Sequence, residues 1–119
     1  ILSLLFSSGS FALSDSQKRE IKKSVDNMKA VLPRRVDQMT TVVDTWMRDN
    51  TWYMKTVINI GDRKINQKIA DFISEYIKDQ YCRPPWEYID AGLNISNQYY
   101  DQRGNYLFVA SANKRICGR

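Results

Sequence analysis

The chain has 119 residues, of which 43% are hydrophobic and 26% are charged, and its formal net charge is +5. This length and composition are typical of one globular domain with a single core, and they argue against two domains or a wholly disordered chain. The sequence contains no histidine, which removes the usual general base at neutral pH, the Ser-His and Cys-His nucleophile pairs, and ordinary zinc or copper sites. We therefore expect a protein that is not an enzyme and that uses no cofactor or metal.

The first twelve residues differ in character from the rest of the chain. They read Ile-Leu-Ser-Leu-Leu-Phe-Ser-Ser-Gly-Ser-Phe-Ala, a short apolar run followed by small residues. Such a segment is typical of the end of a secretory signal peptide, and it is too short to span a bilayer. We interpret residues 1–13 as an apolar N-terminal segment, either a signal-peptide remnant or a docking strip, and residues 14–119 as one domain. The expected location is the periplasm, with association with the outer membrane left open.

A helix is predicted at the start of the domain. Ser14 and Gln17 are three residues apart, as in a capping box, and Pro33 ends the element. Apolar residues recur between them at helical spacing, at Ile21, Val25, Met28 and Leu32. The opposite face is basic and carries Lys18, Arg19, Lys22, Lys23 and Lys29. We expect this basic face to be a solvated surface, although it is also the reason to consider nucleic-acid or lipid-surface binding.

Two strands joined by a tight turn follow this helix. Residues 39–47 are rich in β-branched and aromatic side chains, and residues 52–60 alternate with a period of two. Asp49 and Asn50 lie between the two runs, and both residue types tolerate a positive φ. The pattern therefore predicts a β-hairpin.

The second half of the chain predicts a helix, a short helix and a second hairpin. Apolar residues at helical spacing continue up to Cys82, and the Pro84-Pro85 pair prevents the helix from extending further. Residues 85–92 are typical of a short helical turn with proline near its start and glycine at its end. Residues 93–99 and 106–111 alternate on either side of a polar turn.

These elements predict an α+β domain in the order helix, hairpin, helix, short helix, hairpin. We expect a four-stranded antiparallel sheet with the helices packed on one face. Cys82 ends the long helix and Cys117 follows the last strand, and two cysteines allow a single intrachain pairing. A disulfide would fasten the helix to the edge of the sheet and would indicate an oxidising compartment. Two buried, unlinked thiols are the alternative.

Four segments in the C-terminal half follow the pattern of a known family. They read Tyr81-Cys82-Arg83-Pro84, Ile89-Asp90-Ala91-Gly92-Leu93-Asn94-Ile95-Ser96, Asp101-x-x-Gly104-Asn105-Tyr106 and Arg115-Ile116-Cys117-Gly118. Over residues 31–118 the chain resembles the α/β class of type II secretion pilotins. The resemblance implies one α/β domain with one disulfide, which binds the terminal segment of a secretin subunit and escorts it to the outer membrane. Pilotins carry a lipidated cysteine after the signal peptide, and residues 5–14 contain no cysteine, so the resemblance does not extend to lipid anchoring.

The leading hypothesis is a non-catalytic periplasmic or envelope protein that binds another protein, as an accessory or structural subunit of a bacterial secretion system. Its partner would be a secretin or another outer-membrane subunit of the secretion complex. The alternative is a periplasmic inhibitor or immunity protein, and a basic domain that binds nucleic acid or a lipid surface is less favoured because export separates the chain from DNA. For a docking surface, the sequence predicts apolar residues of the N-terminal segment and two aromatic residues near the short helix: Ile1, Leu4, Leu5, Phe6, Trp86 and Tyr88.

Overall fold

A computed structural model describes residues 12–119 of the chain. Three helices and five strands follow one another as α1 (Asp15–Lys29), β1 (Arg34–Arg35), β2 (Thr40–Arg48), β3 (Thr51–Ile58), α2 (Gln67–Tyr81), α3 (Glu87–Asp90), β4 (Asn94–Asp101) and β5 (Tyr106–Ala112). The predicted α+β class is confirmed, as are the three helices and the two hairpins.

Both long helices begin at caps formed by local side chains. At the start of α1, Ser14 Oγ accepts a hydrogen bond from the Gln17 backbone N–H (3.1 Å), and Gln17 Oε1 accepts one from the Ser14 N–H (2.9 Å). At the start of α2, Asn66 Oδ1 accepts a hydrogen bond from the Ile69 N–H (2.9 Å). These bonds satisfy N–H groups that have no partner inside the helix. The capping box predicted for α1 is therefore present.

The strands form one five-stranded sheet in the order β1-β2-β3-β4-β5. The prediction of a four-stranded antiparallel sheet is wrong in two respects. The fifth strand, β1, has only two residues, and both are exposed. In addition, β3 and β4 are parallel, with a register that runs from Thr51↔Asn94 to Ile58↔Asp101. The chain between β3 and β4 contains α2 and α3, and a long helical connection between neighbouring strands is the arrangement that parallel pairing requires.

The helices pack on one face of the sheet, as predicted, but they bury two separate clusters. Under α1 the buried residues are Leu13, Ile21, Val25 and Leu93. Under α2 they are Ile58, Ile60, Ala70, Tyr99, Phe108 and Ala110. Within residues 12–119, α1 packs mainly against β2 and α2 mainly against β5. The two helices therefore lie towards opposite edges of the sheet and leave its central strands between them.

The end of the chain is fastened to the body of the domain. Cys82 and Cys117 form the predicted disulfide, with their Cα atoms 5.4 Å apart. The Arg119 guanidinium also donates two hydrogen bonds to the Asp90 carboxylate, at 3.0 and 2.9 Å. The C-terminal residues are thus held by one covalent and one ionic contact.

Candidate functional site

A groove opens on the helix-covered face of the sheet, between α1 and α2. It consists of two adjoining cavities of about 840 and 350 Å³, which share Val36 and Val42 in their walls. Side chains of β2, β3 and β4 form the floor: Val42, Met54, Thr56, Ile58, Asn97 and Tyr99. We call these two cavities together the groove.

Several segments form the walls of the groove. The end of α1 contributes Met28, the segment after it contributes Val31 and Arg34, and residues 36–39 border the opening. The wall on the opposite side is α2, which contributes Ile73, Tyr76, Ile77 and Tyr81. Because the two helices pack towards opposite edges of the sheet, the space above its middle remains open.

The rim of the groove exposes large apolar side chains to solvent. Phe72 is 74% exposed and Tyr76 is 58% exposed. Tyr76 lines the groove, and Phe72 lies one helical turn from it in α2. Val31, Val36 and Met39 also line the groove and are exposed. Exposed apolar side chains beside an apolar cavity are typical of an interaction surface.

A hydrogen-bonded cluster occupies the floor of the groove. Thr56 Oγ1 donates to Asn97 Oδ1 (2.7 Å), and Asn97 Nδ2 donates to Tyr81 Oη (3.2 Å) and to Tyr99 Oη (3.4 Å). Asn97 is 4% exposed and Tyr99 is 3% exposed. Four polar side chains therefore meet at the bottom of a groove whose other surfaces are mostly apolar.

The protonation states of the groove residues follow from burial and hydrogen bonding. Burial raises the pKa of Tyr81, because the hydrogen bond from Asn97 only partly offsets the desolvation. Burial also raises the pKa of Tyr99, and the nearby Tyr81 and Asp37 contribute in the same direction. Both phenols are therefore neutral hydroxyl groups at physiological pH. The backbone N–H of Met39 donates to Asp37 (2.8 Å) and lowers the pKa of that carboxyl, which keeps it charged.

The two described residues among the sequence-predicted docking positions, Trp86 and Tyr88, do not line the groove. Ile1, Leu4, Leu5 and Phe6 fall outside the described residues. Trp86 packs under the Arg119 guanidinium, 4.3 Å from the ring centre. Docking at these positions and at Tyr88 stays a prediction.

Tyr88 lies against α1 rather than in the groove. It packs on the buried cluster under that helix. Its hydroxyl donates to the Glu20 carboxylate, a bond that raises the pKa of Tyr88 to about 12. Tyr88 therefore has a structural partner within the domain.

One signal in the sequence could have identified the groove. The apolar stripe of α2 includes Ile69, Phe72, Ile73, Tyr76 and Ile77, and it is wider than one packed face of a helix needs. Ile73 and Ile77 pack on the buried cluster, whereas the other three residues are exposed. Tyr76 lines the groove together with Ile73 and Ile77, so the extra width of the stripe indicates a helix that also borders an open surface.

Aromatic residues on the opposite face of the sheet pair with one another. Trp46 and Tyr53 are stacked with ring centres 5.3 Å apart, and Tyr100 contacts Tyr106 at 5.6 Å. Lys55 Nζ lies 4.6 Å from the centre of the Tyr100 ring. These rings have partners within the sheet. Residues on this face can therefore serve as controls in experiments that test the groove.

Two other kinds of feature are absent from the described part of the chain. None of its helices is both long and apolar enough to cross a membrane. Residues 12–119 also contain no group of three His, Cys, Asp or Glu side chains that could hold a metal ion.

Comparison of the sequence with protein-family models and with curated proteins finds no match. Comparison with solved structures finds similar folds. A Pseudomonas aeruginosa protein that is provisionally classed as secreted has a TM-score of 0.72 at 9% identity, over 83% of this chain and 90% of that chain.

Two pilotins of type II secretion systems are also similar. EpsS from Vibrio vulnificus has a TM-score of 0.70 at 14% identity, over 83% of this chain and 89% of that chain. AspS from Vibrio cholerae has a TM-score of 0.57 at 14% identity, over 83% of this chain and 94% of that chain. At these identities the likeness establishes a shared fold.

Proposed function

We propose that this protein is a non-catalytic accessory subunit of a bacterial secretion system and that it binds a segment of another protein in the groove. The observation that carries this proposal is the exposed apolar rim of the groove. Tyr76, which lines the groove, and Phe72, one helical turn away, are each more than half exposed within residues 12–119. Leaving such side chains in water is unfavourable, and their burial by a partner would release that free energy.

The fold and the disulfide support a role outside the cytoplasm. The fold is shared with two pilotins and with a protein classed as secreted. Disulfides persist mainly in oxidising compartments, and the Cys82–Cys117 bridge is therefore consistent with export to the periplasm. We further propose a secretin, or another outer-membrane subunit of the secretion complex, as the partner.

The lining of the groove suits a short amphipathic segment. Its floor and walls are mostly apolar, and it has one helix on each side. An amphipathic helix could lay its apolar face on the floor of the groove, with apolar positions three and four residues apart. Residues Ile1, Leu4, Leu5 and Phe6, together with Trp86 and Tyr88, remain a second proposed contact surface.

Site-specific photocrosslinking in the native host tests this proposal. A photoreactive phenylalanine analogue replaces Tyr76 at the rim of the groove in one variant. In the matched control it replaces Tyr106, which is 56% exposed against 58% for Tyr76 and lies on the opposite face of the sheet. We expect the Tyr76 position to crosslink to an outer-membrane secretion subunit, identified by mass spectrometry, and the Tyr106 position to give none of that product.

Two outcomes would contradict the proposal. Equal crosslinking at both positions would mean that the groove has no special role. Crosslinks from Tyr76 only to residues 1–11 of the same chain would mean that the N-terminal segment is the occupant of the groove. A Phe72→Glu substitution should abolish the Tyr76 product without unfolding the domain, because Phe72 is largely exposed.

A further inference from the structure

The hydrogen-bonded cluster on the floor of the groove has one donor left over. Both N–H bonds of the Asn97 carboxamide are used, by Tyr81 and Tyr99, and its oxygen accepts from Thr56. The Tyr81 hydroxyl donates to Met54 Sδ at 3.7 Å, and a thioether sulfur is a weak acceptor. The Tyr99 hydroxyl accepts from Asn97, but none of the hydrogen bonds within residues 12–119 uses its own proton.

This donor would be unfavourable if the groove were filled without supplying it an acceptor. Tyr99 is almost fully buried and lines the larger cavity of the groove. Water can accept its proton in the open groove, but an apolar segment that filled the cavity would exclude that water and leave the donor without a partner. The same reasoning applies in part to Tyr81. Its hydroxyl donates to a weak sulfur acceptor, and an oxygen atom of a partner would be a stronger acceptor.

The charge of the groove restricts which acceptor can enter. Among the described residues that line the larger cavity, Asp37 is the only charged one. Its backbone hydrogen bond keeps it ionised, and the nearby Arg35 also lowers its pKa. The Arg35 guanidinium is already engaged, because it donates to the backbone carbonyls of Asp37 and Gln38, and Arg34 lines the smaller cavity. A carboxylate inserted beside Tyr99 would be desolvated near the like charge of Asp37. A neutral oxygen acceptor avoids that repulsion.

We propose that Tyr99 is a specificity-determining residue of the groove and that it selects a partner segment whose apolar face carries one neutral amide side chain. In this arrangement an asparagine or glutamine carbonyl of the partner accepts from the Tyr99 hydroxyl, with Tyr81 as the neighbouring donor. The cost of leaving the donor unpaired then rejects segments that present only apolar groups at this point. This inference rests on the proposed role of the groove as a binding site for a protein segment.

The test uses the full chain and three small probes that each have a hydrocarbon part. One probe carries a neutral amide, one carries a carboxylate, and one has no polar group. The probes are hexanamide, hexanoate and toluene, and their dissociation constants are measured by ¹⁵N–¹H NMR titration at neutral pH. We expect hexanamide to shift the backbone amides of Thr56, Asn97 and Tyr99. Tyr99→Phe should weaken hexanamide binding roughly three- to tenfold, the range expected for loss of one neutral hydrogen bond. The same substitution should change the affinities for toluene and hexanoate less than about twofold, since neither depends on this donor in the proposal.

Control variants separate recognition from folding. Tyr100→Phe makes the same substitution on the opposite face of the sheet and should leave all three affinities unchanged. Tyr81→Phe should weaken hexanamide binding less than Tyr99→Phe does. Retention of the chemical-shift dispersion of the parent protein shows that each variant is folded.

The outcomes distinguish this inference from the proposed function. If toluene binds in the groove but Tyr99→Phe leaves hexanamide binding unchanged, the role of Tyr99 is refuted while the groove remains an apolar site. If hexanoate binds as tightly as hexanamide and depends equally on Tyr99, the preference for a neutral acceptor is refuted. If the Tyr99 dependence holds but the Tyr76 position gives no crosslink to a protein, the groove binds a small amide-bearing ligand and the proposed protein partner is refuted.

Discussion

Removal of the Cys82–Cys117 disulfide is expected to lower the free energy of unfolding by about 4 kcal/mol, the value that the loop-closure model gives for a closed loop of this length. The two cysteines are 35 residues apart in sequence. The bridge restricts the unfolded chain over the whole of this span, which contains α3, β4 and β5. Domains of this size are typically stable by about 5–15 kcal/mol, so the disulfide contributes a large part of the total.

The folded state should survive the loss of the bridge with little rearrangement. The Arg119–Asp90 ion pair still holds the end of the chain, and the Cys117 N–H still donates to the Asn113 carbonyl at 2.8 Å. Most of the loss is therefore expected in the entropy of the unfolded state rather than in native contacts.

Urea unfolding followed by tryptophan fluorescence measures this effect. The Cys82→Ala/Cys117→Ala variant should unfold at a lower urea concentration than the oxidised parent and should not respond to a reducing agent. The parent should shift towards the variant when it is reduced. A loss below about 1 kcal/mol in the variant would refute the loop-closure argument, because it would mean that the unfolded chain is already restricted over this span.

Three smaller effects can be measured by the same method. Ser14→Ala removes the capping box of α1 and should cost about 1 kcal/mol. Gly104 has φ of +89°, and a Cβ atom at this position would meet no other atom within 4 Å, so Gly104→Ala should cost about 1–2 kcal/mol through backbone strain alone. Asp101 accepts hydrogen bonds from the Asn105 and Arg103 N–H groups, which lower its pKa in the folded state. Its contribution is present above the unfolded-state pKa of about 4 and is lost as the pH falls below it, so Asp101→Asn should flatten the decline in stability at acid pH.

The local features of the fold were predictable because their signals lie within a few residues. Ser14 and Gln17 face each other across one helical turn, and the capping box follows from their spacing alone. Asp49 has φ of +53° in the turn between β2 and β3, where the sequence predicted a hairpin. In each case the residues that form the feature are neighbours in the chain, so no knowledge of the rest of the fold was needed.

The strand order and the groove depend on contacts between distant residues. β1 consists of Arg34 and Arg35, which carry no strand pattern and pair with Val42 and Thr41 only because β2 passes beside them. Each hairpin pattern predicts one antiparallel pair of strands. Neither pattern predicts which strands of the two hairpins are neighbours in the sheet, or whether those strands are parallel. Asn97 lies opposite Met54 in the parallel pair of β3 and β4, and nothing local to either residue indicates that neighbourhood.

The parallel pair also explains why polar residues occupy the centre of the helix-covered face. Since α2 connects β3 to β4 and packs mainly on β5, whereas α1 packs mainly on β2, the middle of β3 and β4 between the two buried clusters remains open to the groove. Thr56 and Asn97 sit at this position and bond to each other at 2.7 Å. Asn97 also donates to the Tyr81 and Tyr99 hydroxyls, so replacing the pair by apolar groups would leave both hydroxyls without this donor. The cluster therefore fixes the position of the Tyr99 hydroxyl at the floor of the groove, as the proposed recognition by Tyr99 requires.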